Sequence, residues 1–525
     1  MKPTRPRTAF DILFRMAVIG LGLSLPVWLF LAELRPRILM HRAEDVLRTL
    51  AASCDQAVRT VEASEEVWEH LDAARASLLD RSLQIGRLPC KSYAALNEKL
   101  LSKGVSQHSL SALHLSATLD PSYPDLGRPH ADPDQLNAEL RVVVRMFDLS
   151  PLPVKPYVRD AKFRLGERLF HDSLLSGRED RSCATCHVLA FATTDGAALE
   201  THLDVSPERL PEVPARNVPD LWNRDHNDVS TMLWDGRVQA LAAADQGGLV
   251  LPEALASAEF ENLMALQSVR PIFIPAEMLG KPGPTNSLAP DDTSRPTPDA
   301  VLARVATRLF NREKRAELDE ETYGALFRAS YAIRSADEVR PAHLGNALAH
   351  YIEIEFQSRD TPWDRYLAGD RNALSADQKG GALLFYGIGK CAVCHTGGIF
   401  SDFEFHSIGV PDVREMKDVG RYYATGMAED RFLFRTPPLR NVTLTAPYFH
   451  NGQAETLVEA IGQHLNSYRS ARAYAEGGEH LMEPAEINSI SPIQASQSLI
   501  SDAQIALLIA FLEALEDDRA GAVSR

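Results

Sequence analysis

The sequence predicts a mostly α-helical chain, built as two haem-bearing domains behind an N-terminal membrane helix. Three observations predict it: two CxxCH pentapeptides, apolar residues recurring at helical spacing over most of the length, and a scarcity of strand-like alternation. The pentapeptides are Cys183-Ala-Thr-Cys186-His187 and Cys391-Ala-Val-Cys394-His395, and they hold four of the six cysteines. In such a motif both thiols add to haem vinyl groups as thioethers, and the following imidazole reaches the iron as proximal ligand. Chance supplies one CxxCH in roughly one of several hundred sequences of this composition, and two far more rarely. A zinc site shared by the two CxxC pairs would need far closer spacing, and it leaves His187 and His395 without a role. A thioredoxin-like pair needs a preceding strand, which neither motif has.

With 525 residues the chain is long enough for two or three domains with their own cores, and 45% hydrophobic and 24% charged residues are ordinary for a globular protein. The net charge of -16 argues against nucleic-acid binding and suits a basic docking partner.

Taken in order, residues 1–40 read as a membrane anchor. Lys2, Arg5, Arg7 and Arg15 precede an uncharged apolar run from Met16 to Ala32, extended by Phe14 and Leu34. The basic side should stay cytoplasmic and the rest face the periplasm. A cleaved signal peptide is the second reading, although no clear cleavage site follows the run. Either route exports the chain, as covalent haem attachment requires.

Residues 41–150 read as a small helical segment followed by a Pro-rich linker containing Pro121, Pro124, Pro129 and Pro133. Cys54 and Cys90 fall in this segment, and in an oxidising compartment they are either one disulfide or two buried thiols. Residues 151–340 form the expected first haem domain, running through a second Pro-rich stretch from Pro282 to Pro298. Residues 341–525 form the second; helices leading to the second motif are expected over Asp299 to Ala316, still within the first domain, and Pro341 to Phe356, and a terminal one over Asp502 to Leu515. Both are expected to be mostly α, cytochrome c-like domains in which short helices and long loops enclose a flat apolar cofactor.

The residues around both motifs resemble the bacterial diheme cytochrome c peroxidases and their MauG-type relatives. The resemblance covers roughly Pro151 to the end. It rests on the blocks Leu165 to Ser176, Ala215 to Pro219 and Leu233 to Arg237 around the first motif. Around the second it rests on Asp364 to Asp370, Gly387 to Cys391, Phe405 to Gly409, Thr436 to Asn441 and Leu444 to Gly452.

The resemblance implies a periplasmic enzyme that reduces hydrogen peroxide, with the haem on His187 as the peroxide site and the haem on His395 receiving electrons. Trp234 would lie between the two haems. Glu277, in the run Ile274 to Gly280, matches the family's distal glutamate, a carboxylate that shuttles the peroxide proton. Asn217 with the backbone carbonyls of Thr445 and Pro447 matches the positions that hold a bridging calcium, as hard oxygen donors would. A small cytochrome or cupredoxin is the implied electron donor, and the pattern admits a homodimer.

Two departures from the family stand out. Where many relatives carry a loop histidine capping the first haem this chain has none in register, His202 being the nearest and displaced, so the peroxide site is expected to be open. At the sixth-ligand position of the second haem, methionine in typical peroxidases and tyrosine in MauG-type enzymes, the chain carries His464. Histidine ligates haem iron well and should give a lower potential than methionine. A one-residue slip would instead place Leu465 there. A MauG-like oxidase acting on a protein or organic substrate and a catalytically silent electron-transfer or redox-sensing cytochrome are the competing functions.

Overall fold

The computed structural model describes residues 133–200, 215–239, 259–291, 296–312, 322–412, 417–467, 484–491 and 500–524. The expected anchor, the helical segment with Cys54 and Cys90, and His202 all lie outside the described residues. Among the described residues no helix is long and apolar enough to cross a membrane.

Helix α1 spans Pro133–Met146 and α2 spans Ala161–His171. Three helices follow the first CxxCH motif: α3 (Leu263–Val269), α4 (Pro298–Arg312) and α5 (Tyr323–Tyr331). Next come α6 (Pro341–Glu355), α7 (Pro362–Leu367) and α8 (Ala376–Tyr386), the last leading into the second motif. After it lie α9 (Leu457–Leu465), α10 (Asp502–Glu513) and α11 (Asp518–Ser524). Among the described residues strands are confined to two short antiparallel pairs, β1 (Thr231–Met232) with β2 (Val238–Gln239) and β3 (Phe405–His406) with β4 (Phe434–Arg435).

The two halves are built alike. In each, the helix before the CxxCH motif crosses a later helix at a glycine. A β-carbon on Gly166 of α2 would be driven into the Ala347 carbonyl of α6, and one on Gly381 of α8 into the Leu507 carbonyl of α10. Only glycine permits that approach of two backbones. Around the first crossing Phe163, Leu165, Leu169 and Phe170 meet Leu344, Ala347, Leu348 and Tyr351, with Met264 and Ala265 of α3 in the same core. Around the second, Phe511 of α10 sits edge-on to Trp363 at 5.1 Å and to Phe385 at 5.2 Å. Buried aromatic side chains contribute most per residue to such cores.

The packing moves two expected boundaries. Helix α6, expected within the second domain from residue 341, belongs to the first core. Sequence adjacency to the second motif does not reveal which partner covers a helix that is buried nearly all round. Pro133, expected in a linker, instead opens α1, where the missing N–H of a first-turn proline costs nothing. This helix buries Leu136, Leu140 and Val143 and packs on α8 of the second half. Conversely, Ala520 of the C-terminal α11 is buried in the first core.

Candidate haem and peroxide sites

Both CxxCH motifs fold into a single helical turn, with the His187 and His395 amides donating to Cys183 and Cys391 carbonyls, each at 2.9 Å. Each imidazole is then held from behind. His187 Nδ1 donates to the Thr193 carbonyl at 2.9 Å and His395 Nδ1 to the Phe400 carbonyl at 3.1 Å. A carbonyl can only accept, so the Nδ1 atoms carry the protons and each Nε2 presents a lone pair, the tautomer a metal ligand needs. Burial, opposed by the Thr193 bond, keeps His187 below its usual pKa; burial, then the charge of His464, lowers His395 to about 4. The four thiols are unpaired, and the two CxxC pairs do not converge on a shared metal site among the described residues.

The two sites differ in what faces them. A mostly apolar cavity opens beside His395, and its walls include Cys391, Cys394, Phe434, Leu439, Leu508 and His464. The rings of His395 and His464 are 6.1 Å apart, inclined at 59°. His464 sits in the last turn of α9, its Nδ1 bonded to the Ala460 carbonyl at 2.8 Å, so its Nε2 is also free. Thr456 caps this helix with Glu459 in a reciprocal box, which fixes the turn that carries the histidine. Val458 marks the outer face of the helix and is 54% exposed, whereas His464 lines the cavity.

Beside the first motif stands a partly buried carboxylate instead of a histidine. Glu277 lies in the turn after Arg270–Phe273, and Arg181, two residues before Cys183, donates to its carbonyl at 3.2 Å. Burial raises the Glu277 pKa, with Arg270 and Arg237 pulling the other way. A second carboxyl, Glu200, accepts from Cys186 Sγ at 3.8 Å, and burial, then the charge of Glu277, pushes it up to about 8. The charge of Glu277 thus adds to burial in disfavouring ionisation of Glu200, which keeps its proton at neutral pH. Glu200 belongs to none of the sequence blocks that marked the other candidates; only folding brings it to Cys186.

Trp234 stands at the border between the halves. It lines the His395 cavity, while its neighbour Leu233 packs on the first core, as Cys183 does. Trp234 Nε1 donates to the Asn217 carbonyl at 2.9 Å, and the ring meets His450 edge-on at 6.4 Å. The next residue, Asp235, is wholly buried and paired with Arg216 at 2.7 Å and with Arg237. Arg216 reaches on to Asp418 in the second half at 2.6 Å. The Trp234 to Arg237 turn thus touches the His395 cavity at one end and approaches Glu277 at the other.

Asn217 is brought to Pro447 as expected. Its side-chain nitrogen donates to the Pro447 carbonyl at 3.3 Å and to the Ala197 carbonyl at 2.9 Å, and Thr445 and Pro447 line the same cavity as Asn217. The other amide orientation would turn Oδ1 toward the same two carbonyls and make a cluster of hard oxygens, so these residues fit a calcium ion.

Comparison with known proteins agrees with this geometry. Residues 160–372 match the family model described as di-haem cytochrome c peroxidase. The chain is 28% identical to the methylamine utilization protein MauG of Methylorubrum extorquens over 408 residues, 77% of this chain and 89% of that protein. It is 29% identical to the cytochrome c551 peroxidase of Pseudomonas aeruginosa over 338 residues, 62% of this chain and 78% of that one. Among solved structures, a MauG-like protein associated with microbial copper homeostasis shares the fold, with a TM-score of 0.50 at 24% identity over 71% of this chain and 94% of that one. With paired CxxCH motifs on twin helical scaffolds, the chain is similar to the bacterial diheme cytochrome c peroxidases and to MauG, and its residues 160–372 match the di-haem cytochrome c peroxidase family model.

Proposed function

We propose that this protein is a periplasmic diheme peroxidase that reduces hydrogen peroxide to two waters, consuming two electrons and two protons. The observation that carries the reading is the inequality of the two sites: a partly buried carboxyl near the first motif, a histidine facing His395 at the second. His187 and His395 are the proximal ligands, with the four motif cysteines as thioethers. When bound, the haems supply the redox equivalents that cleave the O–O bond and relay electrons to it.

The chain's own residues do the rest. Glu277 takes a proton from the entering peroxide oxygen and returns it to the leaving one, work suited to a carboxyl whose pKa burial has lifted. Glu200 replenishes that proton. Arg270 and Arg237 limit how far burial shifts Glu277, so that it can still ionise. His464, whose ring lies 6.1 Å from that of His395, would together with His395 hold the haem iron of the second motif. Trp234 bridges the two halves for electron passage, and Asn217, Thr445 and Pro447 hold calcium between them.

Electrons come from a small cytochrome or cupredoxin, and the apolar run Met16 to Ala32 holds the protein at the inner membrane. His464 also favours a second reading. Two histidines stabilise an oxidised iron better than histidine and methionine do, which suits a MauG-like oxidase that stores oxidising equivalents for a protein or organic substrate.

Holoprotein mixed with peroxide and a reduced small cytochrome distinguishes these. Rapid multiple turnover is expected. Slow turnover with a long-lived two-electron-oxidised spectrum would establish the oxidase, and no spectral response would leave a silent cytochrome.

A further inference from the structure

The wall of the His395 cavity contains two buried arginines that the reading above does not use. Arg435, in β4, is 4% exposed; its Nε donates to the Leu233 carbonyl at 2.9 Å and its Nη1 to the Thr436 carbonyl at 3.1 Å. Among the described residues no carboxylate forms an ion pair with it. Arg224, 8% exposed, spends Nε on the Asp220 carbonyl at 2.9 Å and Nη2 on the Asp220 carboxylate at 2.6 Å. Its Nη1 is buried with no hydrogen-bond partner. Both side chains line the cavity.

A buried guanidinium without a counter-ion is costly, and so is a buried donor without an acceptor. Here the cost is concentrated: burial, then the neighbouring charge of Arg224, drags Arg435 down to about 9, an abnormal value for a group that is ordinarily always charged. Two cations that repel each other at one cavity wall need an anion between them. The other charged groups of the lining are otherwise engaged or of the wrong sign. Asp418 is taken by Arg216, and Asp220 already neutralises one face of Arg224.

We infer that Arg224 and Arg435 clamp a propionate of the haem bound at His395, making them the carboxylate-binding pair of the electron-relay site. A planar fork of donors suits a carboxylate better than any point charge. The assignment rests on Cys391 to His395 being a haem attachment site. It also gives the pair a functional consequence. Neutralising a propionate removes negative charge from beside the iron and raises its reduction potential, offsetting part of the lowering that a second histidine brings. The pair is also placed to reach the first site: Leu221, next to Asp220, donates to Thr193 Oγ1 at 2.8 Å, and Thr193 holds His187.

The test is a redox titration of the holoprotein followed at the low-spin haem, with haem counted per chain. Arg435→Gln and Arg224→Gln should each keep two haems and lower the one-electron equilibrium constant of that haem about tenfold, equivalent to about 59 mV. Arg435→Lys should restore most of it, and the propionate bands of the resonance Raman spectrum should shift in the glutamine variants only. Two haems with an unchanged potential in both glutamine variants would overturn the clamp while leaving haem binding intact. Fewer than two haems in the unaltered protein would instead overturn the attachment reading. If Arg435→Gln fails to fold, Arg224→Gln carries the test, read against Arg224→Gln combined with Asp220→Asn, which removes the carboxylate that the single variant leaves unpaired in the same cavity: a potential that stays lowered in the double variant supports the clamp, and one that returns to the unaltered value overturns it.

Discussion

The first haem region and the second share a scaffold down to the glycine at each helix crossing, yet they present different groups to what they bind. Gly166 on Ala347 and Gly381 on Leu507 set the same approach of helices, and Thr193 and Phe400 hold the two proximal imidazoles in the same tautomer. The divergence lies in elements outside that frame. The turn carrying Glu277 and the loop carrying Glu200 give the first site acids; the capped helix carrying His464 gives the second a base. One scaffold therefore supplies two chemistries because the frame fixes the proximal side and leaves the opposite face to loops.

If that contrast is functional, the largest effect comes from removing the acid of the first site. Glu277→Gln should lower kcat/KM for peroxide by about 10²- to 10⁴-fold, as loss of a general acid–base does, while the spectrum of the second haem stays as it was. Steady-state kinetics with optical spectra reads both. Next comes His464→Ala, which should convert the second haem from low to high spin and leave the first untouched; an unchanged electron paramagnetic resonance spectrum would erase the proposed difference between the sites.

Breaking the junction between the halves tests whether they act together. Burial works against the charge of Asp235, but Arg216 and Arg237 outweigh it and hold its pKa below the usual carboxylate range. Asp235→Ala takes a buried partner from Arg216, which keeps Asp418, and the carboxylate from the partly buried Arg237, and should cost about 3 kcal/mol by denaturant unfolding. Because the folded pKa is depressed, the stabilisation is present above the unfolded carboxylate value near about 4 and fades as pH falls through the folded value. The penalty of Asp235→Ala should therefore shrink in acid; a penalty independent of pH down to the acid transition would mean the ion pairs are not its source. The smallest effect is that of Thr456→Ala, which removes the cap of the His464 helix. About 1 kcal/mol of stability should go, together with a broadened low-spin signal of the second haem only.

The parts legible in the sequence are those with local signals. The helices Pro298–Arg312, Pro341–Glu355 and Asp502–Glu513 announce themselves by periodicity and by proline or acidic residues in the first turn. The CxxCH turns do so by covalent chemistry, and His464 by its distance along the chain from Phe449 and His450. What could not be read is which element covers which. Proline at 133 serves equally as linker punctuation and as a helix opener, and only the burial of Leu136 and Leu140 decides. Glu200 and the Arg224 and Arg435 pair are ordinary residues in sequence; burial without a matching charge is what distinguishes them, and burial is a property of the folded chain. The same holds for helix α6, whose apolar residues fit either core until packing chooses the first.

The exchange of helices between the halves has a consequence for their autonomy. Helix α1 precedes the first CxxCH motif yet packs on α8 of the second half, and Ala520 of α11 follows the second motif yet is buried in the first core. A cut between the two motifs would therefore strip a buried apolar surface from each piece, so the halves stand or fall together as one cooperative unit.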